Sequence, residues 1–197
     1  MKASQTVAAE SGHFHAVRFY EDSASLARMV AGFVSEGIVA ANPAVIIATP
    51  GHRDAILQQL AALSIDVDKL TKRGDFVTLD AHETLAAFMV DGMPKSRLFE
   101  NTLIPVIDRV VRRREHCVVR AYGEMVDVLW KDGMETAAVR LEMLWNRLAV
   151  SRRFSLLCGY SMGSFYKDAS FERICDQHSH VMSAEGTPAR IRTARLA

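Results

Sequence analysis

The 197-residue chain has three cysteines, no apolar run long enough to span a bilayer, and a formal charge of only +1. Each scarcity excludes a class. The thiols, Cys117, Cys158 and Cys175, are an odd set lying in or beside apolar segments. That suits buried thiols in a reducing, cytoplasmic setting better than a disulfide framework. The near-zero charge gives no reason to expect a polyanionic partner, so direct nucleic-acid binding is not expected, and "RVVRRREH" reads as a solvated helix end. The opening "MKASQTVAAESGH" lacks the apolar region of a signal peptide, and no window reaches the roughly 18 apolar residues of a membrane span. Glycine is missing where a nucleotide site would need it. The first strand-to-helix junction, "FYEDSASLA", has no phosphate-binding loop and sets Glu21 and Asp22 where phosphate oxygens would sit.

What the chain does have is 49% hydrophobic residues, enough for a substantial core. Strand-like runs at 15–20, 44–49, 75–80, 116–122 and 154–159 alternate with amphipathic stretches. This is the pattern of a mostly parallel sheet covered on both faces, a three-layer α/β/α sandwich. Asp22 or Ser23 offers a cap for the first helix, and Thr49-Pro50 opens the second. Asp80 and Glu83 form a capping box before "TLAAFMV", and a helix over about 95–114 should bend at Pro105. A helical region over 124–151 breaks near Gly133, and a last helix is expected through "SFERICDQHSHVM". One domain is expected over 13–183, between a loose start at 1–12 and a loose basic tail at 184–197.

Two catalytic or metal signals can be weighed directly. Gly159-Tyr160-Ser161-Met162-Gly163 matches the G-x-S-x-G elbow of serine hydrolases, with a strand before it. The acid and histidine must then follow on loops after later strands, and the short remainder holds Asp168, Asp176, His178 and His180 in one helical stretch. A glycine-lined strand exit is the preferred reading, and a hydrolase using Ser161 stays as an alternative. Cys175 and His178 could share a helix face, but no second ligand pair accompanies them, so no metal is expected. No cofactor is expected either.

Open parallel sheets bind ligands at the carboxyl ends of their strands. Tyr20, His52, Tyr122, Glu124 and Tyr160 fall at such ends and are expected to face one crevice, with His15 at the start of the first strand. Trp130, Trp145 and neighbouring methionines would line an apolar cavity nearby or simply fill the core. Glu124 follows a buried strand directly, where it can serve a ligand or cap the next helix.

The order of these motifs resembles a known family. "HAVRFYEDSASLARMVAGFVSEGI", "VIIATPGHRDAILQQL", "RAYGEMVDVLWKDGMETAAVRLEMLWNRL", "LLCGYSMGSF" and "ICDQHSHV" together resemble the MEDS domain of methanogen and methylotroph regulators such as the dichloromethane repressor. The most specific elements are His15 with Tyr20, Tyr122-Gly123-Glu124, Leu141-Glu142 with Trp145-Asn146, Cys158 with Tyr160, and Ile174-Cys175 with His178. The resemblance implies a RecA/KaiC-like core without the phosphate-binding loop, acting as a non-catalytic sensory input for a small organic compound. Candidate ligand-binding residues are His15, Tyr20, His52, Tyr122, Glu124, Trp145, Cys158, Tyr160 and His178. It also implies an output partner, a histidine kinase or a transcription regulator. As little chain follows Met182, that partner is expected to be reached in trans by a stand-alone sensor. A degenerate nucleotide-binding domain is the other alternative, and a homodimer is expected if an apolar helix face stays exposed.

Overall fold

In a computed structural model, which describes residues 14–112, 114, 116–164, 170–183 and 187–191, the first strand β1 is His15–Tyr20. It feeds helix α1, Ser23–Val39, whose N-terminus is capped by Asp22 through a 2.7 Å bond from the Ser25 N–H. The acid at this junction therefore occupies the helix N-terminus itself. Strand β2, Ala44–Ala48, is buried along its whole length, as expected of β-branched and small residues covered on both faces. Thr49 and Pro50 then open α2, Pro50–Ala62, with proline at the first helical position where its missing donor costs nothing.

Helix α3, Val67–Arg73, was not anticipated; Asp66 caps it and Gly74, at φ 77°, ends it. Strand β3 is Phe76–Asp80, and Asp80 caps the short helix α4, Ala81–Ala86, by accepting from the His82 and Glu83 N–H groups. The expected run through "TLAAFMV" stops there. Met89–Val90 (β4) and Met93–Pro94 (β5) form a two-residue hairpin instead, with Asp91 and Gly92 both at positive φ (52° and 71°). Asp-Gly is the favoured pair for such a turn. Helix α5 is Ser96–Val111 and contains Pro105.

Strand β6, Val119–Gly123, starts three residues later than expected, leaving His116 outside the ladder. Helices α6, Met125–Lys131, and α7, Glu135–Ser151, are separated at Gly133, whose φ of 72° favours glycine. Strand β7 is Phe154–Ser161, followed by a 3₁₀ turn at Met162–Ser164. The expected last helix is cut short. Helix α8 covers only Ser170–Cys175, and the chain turns into strand β8, His180–Met182. Within the stretch expected to be loose, Pro188–Arg190 forms strand β9.

The sheet order is β3-β2-β6-β7-β1-β8-β9, parallel throughout except for β9 against β8. Register sets Val17 opposite Cys158 and Tyr122 opposite Leu157. Because side chains alternate along a strand, Val17, Leu156, Cys158 and Tyr160 face one way, into the core made with α4 to α7. Ala16, Ile46, Tyr122 and Leu157 face the other way, into the core made with α1 and α2. The fold is thus a three-layer α/β/α sandwich around a mostly parallel sheet. Among the described residues, no helix is long and apolar enough to cross a membrane.

Candidate functional site

Eight of the nine candidate residues separate into two networks, one at the carboxyl edge of the sheet and one on the face covered by α7, with Trp145 beside the second. The first ties the carboxyl edge together. Glu124, where β6 ends, accepts from the Thr49 N–H at 2.8 Å, from Tyr122 Oη at 3.1 Å, and meets His52 Nδ1 at 2.9 Å. The Ser23 hydroxyl lies 2.9 Å from His52 Nε2, so this network runs from β6 through α2 to the start of α1. Burial works to raise the Glu124 pKa, but the bonds from His52 and Thr49 outweigh it and hold the carboxylate below its ordinary value. Burial, then the charge of Glu124, pushes Tyr122 well up.

Beside it, Tyr20 donates to Asp127 at 2.7 Å, and Lys131 Nζ lies 2.7 Å from the same carboxylate oxygen. The other oxygen of Asp127 accepts the Ser161 N–H at 2.9 Å. The ends of β1 and β7 are therefore joined to α6 through the Asp127 carboxylate. Burial and then Asp127 raise Tyr20, so its phenol stays protonated as a donor. The Tyr20 and His52 rings meet edge to face with centroids 5.6 Å apart, linking the two halves of the edge.

The glycine-lined turn belongs to this lock. A Cβ on Gly159 would lie 2.9 Å from Tyr122 Oη and 3.4 Å from Leu26 Cδ1, so the residue is glycine because Tyr122 lies against the strand. Among the described residues, Ser161 Oγ has no hydrogen bond to a histidine or carboxylate. Its backbone, not its hydroxyl, is what Asp127 engages.

The second network centres on Glu142, a residue absent from the candidate set. It projects from the inner face of α7 and is fully buried. Tyr160 donates to its Oε1 at 2.8 Å, and Cys158 Sγ lies 3.4 Å from Oε2. His15 Nε2 is 3.1 Å from Oε2 and 3.3 Å from Cys158 Sγ. His178 Nε2 is 3.3 Å from Oε1 but makes no hydrogen bond, leaving a buried polar atom without a partner among the described residues. The His15 and His178 rings sit 4.2 Å apart.

The outer edges of both rings are tied down. His178 Nδ1 lies 2.7 Å from the Ile174 carbonyl, and His15 Nδ1 2.9 Å from Asn146 Oδ1. Burial works to raise Glu142, yet the charges of His178 and His15 outweigh it and hold it well below the carboxylate range. Burial, then His178, pushes His15 down. Burial, then Glu142, pushes the Cys158 thiol and the Tyr160 phenol well up, so both are protonated donors. Of the described residues, His15, Glu142, Cys158 and His178 are the set whose metal-type ligand atoms all lie within 4.8 Å of one another.

This network opens onto a cavity of about 280 Å³ at the amino edge of the sheet. Phe14, Trp145 and Phe154 form apolar walls, the buried His15 and His178 the inner end, and half-exposed Asn146 and Gln177 part of the rim. The residues expected at one carboxyl-edge crevice are thus not together. Tyr20, His52, Tyr122 and Glu124 remain at that edge, whereas Tyr160 turns its hydroxyl to Glu142, beside His15, Cys158 and His178. Trp145 lines the amino-edge cavity, while Trp130 packs against the Tyr160 ring at 5.9 Å. Cys175 does not join His178, because α8 ends at Cys175 and the helical spacing that would align them is lost.

Three participants were not among the candidate ligand-binding residues: Glu142 and Asn146, which the family motif contained, and Asp127. Glu142 had a signal, a carboxylate on the same side of α7 as Leu141, Leu144, Trp145 and Leu148. A charge there needs partners from across the core. Asp127, likewise buried within "MVDVLW", had the same signal.

A search of curated protein sequences finds no match to the chain. The family model described as MEDS, "MEthanogen/methylotroph, DcmR Sensory domain", matches residues 14–178, from the residue before β1 to the histidine beside Glu142. The match takes in both networks and most of the sheet, and the chain belongs to the MEDS family of sensory domains.

Proposed function

We propose that this chain is a non-catalytic sensor whose input is a small organic compound held in the amino-edge cavity and whose output reaches a regulatory protein. The observation that carries this reading is the cavity itself: aromatic walls ending on two buried imidazoles. Its volume, about 280 Å³, suits a compact molecule with an apolar body and one polar end. Ligand pockets are commonly apolar with a few placed polar groups, and Asn146, Gln177 and Ser179 supply those groups at the rim. The carboxyl edge supports the reading less well, since its carboxylates and phenols are already bonded to one another.

A sensor must couple occupancy to a change elsewhere, which requires different affinity for two states. The cavity touches Gln177, His178 and Ser179, the link from α8 to β8, and Ser179 is bonded to the backbone of His15. A ligand would therefore bear on the joint between β1 and the β8–β9 edge. That edge is the natural place for a histidine kinase or transcription regulator to read the state. The three free thiols fit a cytoplasmic site of action.

Thermal unfolding tests the reading. Short-chain alcohols, aldehydes, carboxylic acids and halogenated hydrocarbons are screened for a rise in melting temperature. A true ligand at 100 times its Kd stabilises by about 2.7 kcal/mol. Ala149→Trp, which fills the cavity from its half-exposed wall, should abolish the rise. A rise that persists in this variant places the ligand elsewhere.

A further inference from the structure

The Glu142 network has a feature that its hydrogen bonds do not account for. Both imidazoles hold their outer nitrogens against oxygen acceptors. His178 Nδ1 faces the Ile174 carbonyl, which can only accept. His15 Nδ1 faces Asn146 Oδ1, and that amide is oriented by its own Nδ2 donating to the Gln177 carbonyl at 2.9 Å. Each ring therefore donates from Nδ1 and turns Nε2 inward, towards the Glu142 carboxylate. A buried carboxylate faced by two such nitrogens and a thiol is balanced when a cation, a proton or a metal ion, lies among them. The single proton of the Cys158 thiol goes to Glu142 or His15 and leaves His178 Nε2 without a partner.

We infer that His15 Nε2, His178 Nε2, Cys158 Sγ and a Glu142 carboxylate oxygen bind one divalent transition metal ion of the zinc type. Geometry supports this first. Bond lengths of about 2.0–2.3 Å around a tetrahedral ion put ligand atoms roughly 3.3–3.8 Å apart. His15 Nε2, Cys158 Sγ and Glu142 Oε2 stand 3.1, 3.3 and 3.4 Å apart, His178 Nε2 lies 3.3 Å from the other carboxylate oxygen, Oε1, and one donor atom from each of the four residues lies within 4.8 Å of the others. Modest adjustment of side chains closes them on a common centre.

Charge balance points the same way. Two neutral imidazoles, one carboxylate and one thiolate carry two negative charges, which a divalent ion cancels in a site where all four residues are buried. The thiol loses its proton to solvent as the sulfur–metal bond forms. The mixture of thiolate and imidazole favours zinc over magnesium or calcium, which take oxygen donors. The surrounding residues are those of a built metal site: Ile174 O and Asn146 orient the imidazoles, and Tyr160 Oη orients the carboxylate.

The four donors come from β1, α7, β7 and the link before β8, so the ion would fasten the last part of the sheet to its centre. The cavity gives it a path, because His15 and His178 form the inner end. This site stands without the small-molecule reading; an ion held by four protein ligands needs no organic compound.

Cobalt(II) provides the test. Protein stripped with a chelator is titrated with cobalt and followed by absorption. The expected result is saturation at about one ion per chain, with the visible bands of a tetrahedral centre and a near-ultraviolet thiolate-to-cobalt band, both removed by zinc. Cys158→Ser should remove the thiolate band, and Cys175→Ser should keep it. Asn146→Ala, which leaves all four ligands in place, should weaken binding about 10–100-fold. The inference is overturned if folded wild-type protein takes up no cobalt or zinc. It is equally overturned if the thiolate band follows Cys175, or if Asn146→Ala binds as wild type does. Should Cys158→Ser not fold, the Cys175 and Asn146 variants still decide. An organic compound that raises the melting temperature of metal-free protein would leave the sensor reading standing whatever the cobalt result.

Discussion

At the residue scale, a glycine and a glutamate show how a motif's meaning depends on its neighbours. Gly159 lies in a serine-hydrolase pattern, yet its small size serves Tyr122, whose hydroxyl occupies the space of a missing Cβ. Gly159→Ala should destabilise the protein by about 1–3 kcal/mol through overpacking. In a Tyr122→Phe background the added cost should shrink, since the closest atom is gone. Urea unfolding of the single and double variants reads this coupling; equal costs in both backgrounds would show that the hydroxyl is not what the glycine accommodates. His15, Cys158, Tyr160 and His178 were legible as chemistry-bearing positions. Their common centre was not, because a carboxylate in an amphipathic helix is ordinarily read as surface. Only the tertiary placement of α7 shows Glu142 to be surrounded by donors.

At the element scale, most of the alternating strands and helices could be read from apolar periodicity. β1 was read with the bounds the structure shows, and β2 and β3 within a residue. The misses are short elements. The β4–β5 hairpin has two residues per strand, and its Asp91-Gly92 turn was the only local mark of it. β8 has three residues, "HVM", too few for a period, and it is a strand because β1 offers it an edge. That error mattered, since extending α8 through His178 created a Cys175–His178 pairing that the structure does not have.

The carboxyl-edge lock also belongs to this scale, joining β6 to α2. Glu124 has a lowered pKa when folded, so it contributes stability above its unfolded value of about 4.3, and that contribution is lost as pH falls through the folded value. Stability should therefore fall on acidification below about pH 5, and Glu124→Gln should flatten this acid limb while lowering stability at neutral pH. Urea midpoints across acidic pH measure it. A variant with an acid limb as steep as wild type would assign the lock's pH response to another group.

At the scale of the whole molecule, the carboxyl edge of the sheet and its face under α7 differ in how their polar groups are arranged. One is closed by mutual hydrogen bonds among Tyr20, His52, Tyr122, Glu124 and Asp127; the other holds the cavity and the Glu142 network. Sequence reasoning placed the ligand site at the carboxyl edge from a rule about parallel sheets. It had no means of seeing that the polar residues there satisfy one another. Trp145 lies in the wall of the amino-edge cavity, so the most direct measurement is its fluorescence in a Trp130→Phe variant, which leaves it the sole tryptophan. The account predicts that a compound raising the melting temperature also changes Trp145 emission saturably, with the same affinity, and that Ala149→Trp abolishes the stabilisation. Stabilisation with Trp145 emission unchanged would contradict it.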